Sequence, residues 1–171
     1  SGISGVYALA VSGSDVYALS GMNVVKWNGS SWSSLGSPEA GRWGGISALA
    51  VSGSEVYAAA TFILGGPTNW IAKWDGSSWS ALGAGIEGPG LNNPSVSALA
   101  VSGNDLYAGG YFTTAGGIPA NRIAKWNGNS WSALGSGISG VYALAVSGSD
   151  VYGLSGKNVV KWDGSSWSSL G

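Results

Sequence analysis

The sequence predicts an all-β protein: a β-propeller of four blades, each a four-stranded antiparallel sheet. Two tryptophans five residues apart, followed by Leu-Gly, recur four times along the 171-residue chain. Before each copy, short apolar runs alternate with turn residues, and no stretch has the 3.6-residue apolar period of a helix. Tandem units of this kind are the sequence mark of propeller blades.

The recurring motif divides the chain into four units. Its copies end at Gly36, Gly83, Gly135 and Gly171, which gives units 1–36, 37–83, 84–135 and 136–171 of a single propeller domain. Units 1 and 4 differ at three places only, Ala18/Gly153, Met22/Lys157 and Asn28/Asp163. A recent duplication of a terminal blade would leave this pattern, and so would a three-unit superperiod in a longer array. A larger propeller or longer tandem array is therefore the alternative, and a β-solenoid ranks behind both because its repeats are usually shorter.

Unit 1 shows how the strands are predicted. The apolar run Val6–Val11 is typical of a strand buried on both faces. A turn at 12–15 leads into the second strand, and Asn28-Gly29 is a hairpin signal because both residues tolerate positive φ. The predicted strands are Val6–Val11, Val16–Leu19, Val24–Trp27 and Trp32–Leu35.

Unit 3 resembles the kelch or galactose-oxidase type of propeller repeat. Tyr107 precedes the pair Gly109-Gly110, Trp126 follows in the third strand, and Trp131 lies in the fourth. Units 1, 2 and 4 have Leu19-Ser20, Ala59-Ala60 and Leu154-Ser155 in place of the glycine pair. The resemblance implies blades but no particular activity, because such propellers serve as enzyme scaffolds and as binding modules.

Composition excludes several classes of function. Seven Lys and Arg against eight Asp and Glu leave no basic surplus for nucleic acid. The absence of His removes the commonest general base and transition-metal ligand, and the absence of Cys rules out thiolate chemistry, so we expect no enzyme, cofactor or metal site. The non-repeating acids Glu39 and Glu87 precede different blades, too far apart for paired acid–base work.

No apolar run is long enough for a membrane span. The chain begins with Ser1 rather than Met, as expected of a processed product or an excised piece.

The repeated residues are expected to form the frame. We predict that the eight repeated tryptophans pack between blades. Acids at the first turn of each unit should pair with the lysine of the third strand; these acids are Asp15, Glu55, Asp105 and Asp150, and the lysines are Lys26, Lys73, Lys125 and Lys161.

Residues that break the repeat are the candidate ligand site. All extra length falls between the second and third strands or between blades, which places it on one face of the predicted disc. An aromatic platform with polar neighbours would suit a saccharide or peptide. The competing interpretation is that these aromatic side chains pack the loops against the disc. The candidates are Glu39, Arg42, Trp43, Asn69 and Trp70, extended by Tyr111, Asn121 and Arg122.

The sequence thus favours a non-enzymatic assembly or interaction module of an extracellular or cell-surface protein. Near-identical terminal units predict self-association, because an interface that joins blades within a chain can also join blades of two chains into oligomers or fibres. Another protein is the other expected partner. The alternative function is a lectin-like module that binds glycans through the candidate site.

Overall fold

The computed structural model describes residues 3–38, 46–60, 70–88 and 94–171. These residues form an all-β fold with no helix among them. The site candidates Glu39, Arg42, Trp43 and Asn69 lie outside the described residues.

Each unit forms one four-stranded antiparallel sheet whose strands lie side by side in chain order. Unit 1 contains β1 (Val6–Ser12), β2 (Asp15–Ser20), β3 (Asn23–Trp27) and β4 (Trp32–Gly36). Unit 2 contains β5 (Ile46–Ser52), β6 (Glu55–Ala60), β7 (Ile71–Trp74) and β8 (Trp79–Ala81). Between the sheets of units 2 and 3 lies β9 (Ile86–Glu87).

Unit 3 has two extra strands between its second and third. Its sheet contains β10 (Ser95–Ser102), β11 (Asp105–Tyr111), β14 (Ile123–Trp126) and β15 (Trp131–Ala133), and the insertion contains β12 (Thr114–Ala115) and β13 (Ile118–Pro119). Unit 4 contains β16 (Ala143–Ser147), β17 (Asp150–Ser155), β18 (Asn158–Trp162) and β19 (Trp167–Ser169). The prediction of all-β structure with four strands in each unit is confirmed.

The turn between the third and fourth strands is closed by a side chain in every unit. In unit 1, Asn28 Oδ1 accepts hydrogen bonds from the backbone N–H groups of Ser30 and Ser31, both at 3.0 Å. Such an Asx turn requires Asn or Asp at this place. The same arrangement occurs at Asp75, Asn127 and Asp163.

Neighbouring units pack face to face through three apolar clusters, one at each boundary. We call the sheet face that packs on the following unit the forward face, and the opposite face the back face. The forward face contributes the tyrosine of the second strand and the leucine before the closing glycine. The back face contributes the Leu and Val of the first strand and both tryptophans. At the boundary of units 1 and 2, Tyr17 and Leu35 thus meet Leu49, Trp74 and Trp79.

Six of the eight repeated tryptophans confirm the prediction of packing between units, since each belongs to or packs against a boundary cluster. The indole of Trp79 also donates a hydrogen bond from Nε1 to the Leu35 carbonyl oxygen of the preceding unit, at 2.8 Å. The remaining two, Trp27 and Trp32, lie on the back face of unit 1, and none of the described units packs on that face.

The insertion in unit 3 forms a small sheet that the sequence did not predict. Its order is β13-β12-β9, so β12 joins its own hairpin to the connection between units 2 and 3. Ile86, Phe112 and Ala115 bury their side chains in the cluster between these units. The hairpin therefore covers the boundary of units 2 and 3.

The stack of units has two free ends. First strands pack on one another at each boundary, β1 on β5, β5 on β10 and β10 on β16, whereas no comparable packing joins unit 1 to unit 4 within the described ranges. The closed four-blade ring is therefore not confirmed. The expectation that the first strand is buried on both faces is also wrong for β1, where Val6, Leu9 and Val11 are exposed because none of the described sheets packs behind them.

Candidate functional site

Trp70 and Arg122 occupy equivalent positions, directly before the third strand of units 2 and 3. Both adopt positive φ, at 76° and 65°, which is uncommon for residues other than glycine. Trp70 is partly buried against the cluster between units 2 and 3. The Trp70 side chain therefore packs on the sheets, in agreement with the competing interpretation of the loop aromatics.

Tyr111, Asn121 and Arg122 are brought together and are held by the connection to unit 4. The Arg122 guanidinium lies 4.9 Å from the centre of the Tyr111 ring and donates from Nη1 to the Ser139 carbonyl oxygen. Asn121 donates from its side-chain amide to the Ser136 carbonyl oxygen at 3.3 Å. The Asn121 amide and the Arg122 guanidinium therefore already make hydrogen bonds within the chain. The platform that would also include Glu39, Arg42, Trp43 and Asn69 stays a prediction, since those four residues lie outside the described residues.

The predicted ion pairs form within each unit. Lys26 Nζ lies 2.7 Å from Asp15, Lys125 lies 3.1 Å from Asp105 and Lys161 lies 2.8 Å from Asp150; Lys73 pairs with Glu55. The hydrogen bond from Lys73 lowers the pKa of Glu55, and the bond to Asp15 raises the pKa of Lys26. Pairs this exposed contribute at most about 1 kcal/mol each. Their regular repetition marks them as part of the frame.

A groove of about 450 Å³ lies at the boundary of units 3 and 4. Ser102, Asp105, Lys125 and Trp162 contribute to its lining, and Asp105 and Lys125 are already paired with each other. No group of three or more acids among the described residues is placed to hold a metal ion. The two charged side chains of the groove are thus engaged with each other.

The two free ends of the stack are unpartnered among the described residues. Units 1 and 4 are nearly identical in sequence, yet they bury opposite faces. On the forward face, Leu19 is 0% exposed in unit 1, whereas its counterpart Leu154 is 37% exposed in unit 4. On the back face, Leu9 is 63% exposed in unit 1, whereas its counterpart Leu144 is partly buried against unit 3. The difference comes from the neighbouring unit and not from the side chains.

These ends form two defined surfaces. The back-end surface is the back face of unit 1, and its exposed apolar residues are Val6, Leu9 and Val11. The forward-end surface is the forward face of unit 4, and its exposed apolar residues are Leu154, Val159 and Leu170. At the internal boundaries, the counterparts of these residues make up the clusters described above. The near-identity of units 1 and 4 was the sequence signal for both surfaces.

No family model matches the chain, and no curated protein matches it. Its fold is similar to that of several solved structures. The designed protein Ika4 is 19% identical, with a TM-score of 0.58 over 93% of this chain and 91% of that one. Two structures of the extracellular domain of BT4673 from B. thetaiotaomicron are each 10% identical, with TM-scores of 0.63 and 0.60 over 96% of this chain. The chain spans only 22% of their length. At such identities, the similarity shows the fold alone.

None of the described residues forms a helix that is long and apolar enough to cross a bilayer.

Proposed function

We propose that this chain is a non-enzymatic assembly module of an extracellular or cell-surface protein, and that it associates with other copies through its two end surfaces. One observation carries the proposal: nearly identical units expose opposite apolar faces at opposite ends of the stack. The four units would then be blades of a propeller whose ring is completed by association.

The physical reason is the hydrophobic effect. Burial of a leucine or valine side chain contributes roughly 1.5–3 kcal/mol relative to exposure. Leu9 and Val11 at one end, and Leu154, Val159 and Leu170 at the other, are all more than one third exposed. Contiguous apolar surface of this kind marks an interaction site on a monomeric protein.

Two further points support the class of protein. The solved structures with similar folds include extracellular domains, those of BT4673. The chain contains no His and no Cys, so it lacks the commonest general base and any thiolate nucleophile. The Tyr111–Arg122 pair is engaged within the chain, so the loop cluster supports a ligand site less well than the end surfaces support association.

Sedimentation of two charged variants tests this proposal. Leu9→Asp and Leu154→Asp each place a carboxylate in one end surface, and we expect each to abolish association at micromolar concentration. Ser80→Asp is the matched control, because Ser80 is an exposed residue of β8 within unit 2, and it should associate like the unaltered chain. Association that survives both leucine variants would contradict the proposal.

A further inference from the structure

Each internal boundary contains a hydrogen bond that points backwards along the stack. The second tryptophan of a unit donates from Nε1 to the carbonyl oxygen of the leucine that closes the preceding unit. The three bonds are Trp79 to Leu35 at 2.8 Å, Trp131 to Leu82 at 2.8 Å and Trp167 to Leu134 at 3.0 Å. The donor of unit 1, Trp32 Nε1, and the acceptor of unit 4, the Leu170 carbonyl, lack this partner within the part of the chain that the structure describes.

A second hydrogen bond at each boundary points forwards. The serine that ends the first strand donates from Oγ to a glycine carbonyl in the first turn of the following unit. The three bonds are Ser12 to Gly53 at 3.0 Å, Ser52 to Gly103 at 3.1 Å and Ser102 to Gly148 at 3.2 Å. Among the described residues, the Ser147 hydroxyl and the Gly13 carbonyl are left without this bond.

The unpaired groups at the two ends are complementary. The back-end surface offers the Trp32 donor and the Gly13 acceptor, and the forward-end surface offers the Ser147 donor and the Leu170 acceptor. The side chains around them also match halves of existing boundaries. Unit 4 repeats the forward face with which unit 1 packs on unit 2, and unit 1 repeats the back face with which unit 4 packs on unit 3.

We infer that the occupant of each end surface is a second copy of this chain, docked head to tail in the register of the internal boundaries. In this seam Trp32 donates to Leu170 of one copy while Ser147 of that copy donates to Gly13. The inference deepens the proposed function and rests on it, since it specifies the seam through which the copies associate.

The same register also sets the number of copies. A heterologous interface that repeats a rotation closes into a ring when the rotations complete a turn. Propellers contain about four to eight blades, and among the described residues no packing of first strands joins unit 1 to unit 4. The next multiple of four is eight, so two copies close one ring with two identical seams.

Removal of the indole donor tests the register. Trp32→Phe keeps an aromatic ring and deletes one hydrogen bond from each of the two seams, so the dissociation constant should rise on the order of 5- to 150-fold. Trp79→Phe is the matched control because it deletes the same bond inside the chain. It should lower the melting temperature and leave the dissociation constant of the dimer unchanged. Equal dissociation constants for both variants would overturn the register.

A mixing experiment tests the head-to-tail arrangement. Leu9→Asp disables the back-end surface, and Leu154→Asp disables the forward-end surface, so neither variant alone should associate. A mixture of the two retains one intact seam and should form a one-to-one pair in sedimentation. Both leucines are exposed in the chain, so each variant should keep the melting temperature of the unaltered monomer.

The outcomes separate the inference from the proposed function. If the unaltered chain is monomeric at every concentration, the proposed function fails. If it associates but the mixture forms no pair, or if Trp32→Phe has no effect, the function stands and the seam is wrong. If electron micrographs of the unaltered chain show open filaments instead of rings of two copies, the eight-unit ring is wrong.

Discussion

The residue that opens the turn between the third and fourth strands is Asn in units 1 and 3 and Asp in units 2 and 4. Either side chain accepts the same two backbone hydrogen bonds through Oδ1. Only the carboxylate titrates. Donation by the Ser78 and Ser77 backbone N–H groups lowers the pKa of Asp75 from 3.8 to about 2, and Asp163 is shifted likewise by Ser166 and Ser165.

These two aspartates should make stability sensitive to acid. Because the folded pKa lies below the unfolded one, the stabilisation is complete above about pH 4 and is lost as the pH falls towards 2. The double variant Asp75→Asn, Asp163→Asn should therefore lose less melting temperature between pH 7 and pH 2.5 than the unaltered chain. Asn28→Asp is the opposite control, since it adds a third such carboxylate and should increase the loss. Equal losses in all three proteins would refute this account of the turn.

Two glycines on second strands should respond differently to an added methyl group. A Cβ on Gly110 would lie 2.0 Å from the Ser95 carbonyl oxygen, so the backbone of the neighbouring strand would have to move. A Cβ on Gly153 meets nothing closer than 3.5 Å, and unit 1 already has Ala18 there. We expect Gly110→Ala to cost about 1–3 kcal/mol or more and Gly153→Ala to gain about 0.4–1 kcal/mol in urea unfolding. A larger loss of unfolding free energy in Gly153→Ala than in Gly110→Ala would show that the strand packing is wrongly described.

At the scale of elements, the hairpin of β12 and β13 is held by contact with an indole. Gly116 and Gly117 both have positive φ, so alanine strains the backbone at either position. Only at Gly116 would the Cβ also collide with a side chain, at 2.7 Å from Trp131 Cδ1, whereas nothing lies within 4 Å at Gly117. The contact therefore distinguishes two neighbouring residues of the same type.

Thermal unfolding of the two alanine variants measures this contact. Both should lose about 1 kcal/mol or more to backbone strain, and Gly116→Ala should lose roughly 1–3 kcal/mol more through the collision. The near-ultraviolet circular dichroism of the tryptophans should change in Gly116→Ala alone. Indistinguishable variants would mean that the hairpin does not pack on Trp131.

The sequence predicted these elements unequally, for physical reasons. The main strands, their turns and the four ion pairs follow from patterns that recur in every unit. The sheet of β13, β12 and β9 was missed because strands of two residues are too short to show alternation. The equivalent positions of Trp70 and Arg122, both with positive φ, were missed because the residue types differ. Both residues precede Ile-Ala-Lys-Trp, so an alignment of these motifs could have revealed the equivalence.

For the whole molecule, the repeat predicted the packing of units on one another, whereas the predicted closure of four units into a ring is not confirmed. Each boundary depends on side chains of adjacent units, and these are local in the sequence. Closure depends on small rotations that accumulate over all units, and no single residue encodes them. The candidate ligand site was only partly placed, because Glu39, Arg42, Trp43 and Asn69 lie outside the described residues. Of the remaining candidates, Asn121 and Arg122 donate hydrogen bonds to the connection that precedes unit 4.

From the stack with two free ends we infer that the chain completes a ring of eight units with a second copy. The most direct measurement is the mass of the unaltered protein in solution by light scattering over a range of micromolar concentrations. We expect twice the mass of one chain, with dissociation to single chains on dilution. A mass of one chain at every concentration would contradict it, because the two apolar end surfaces would then stay exposed without a partner.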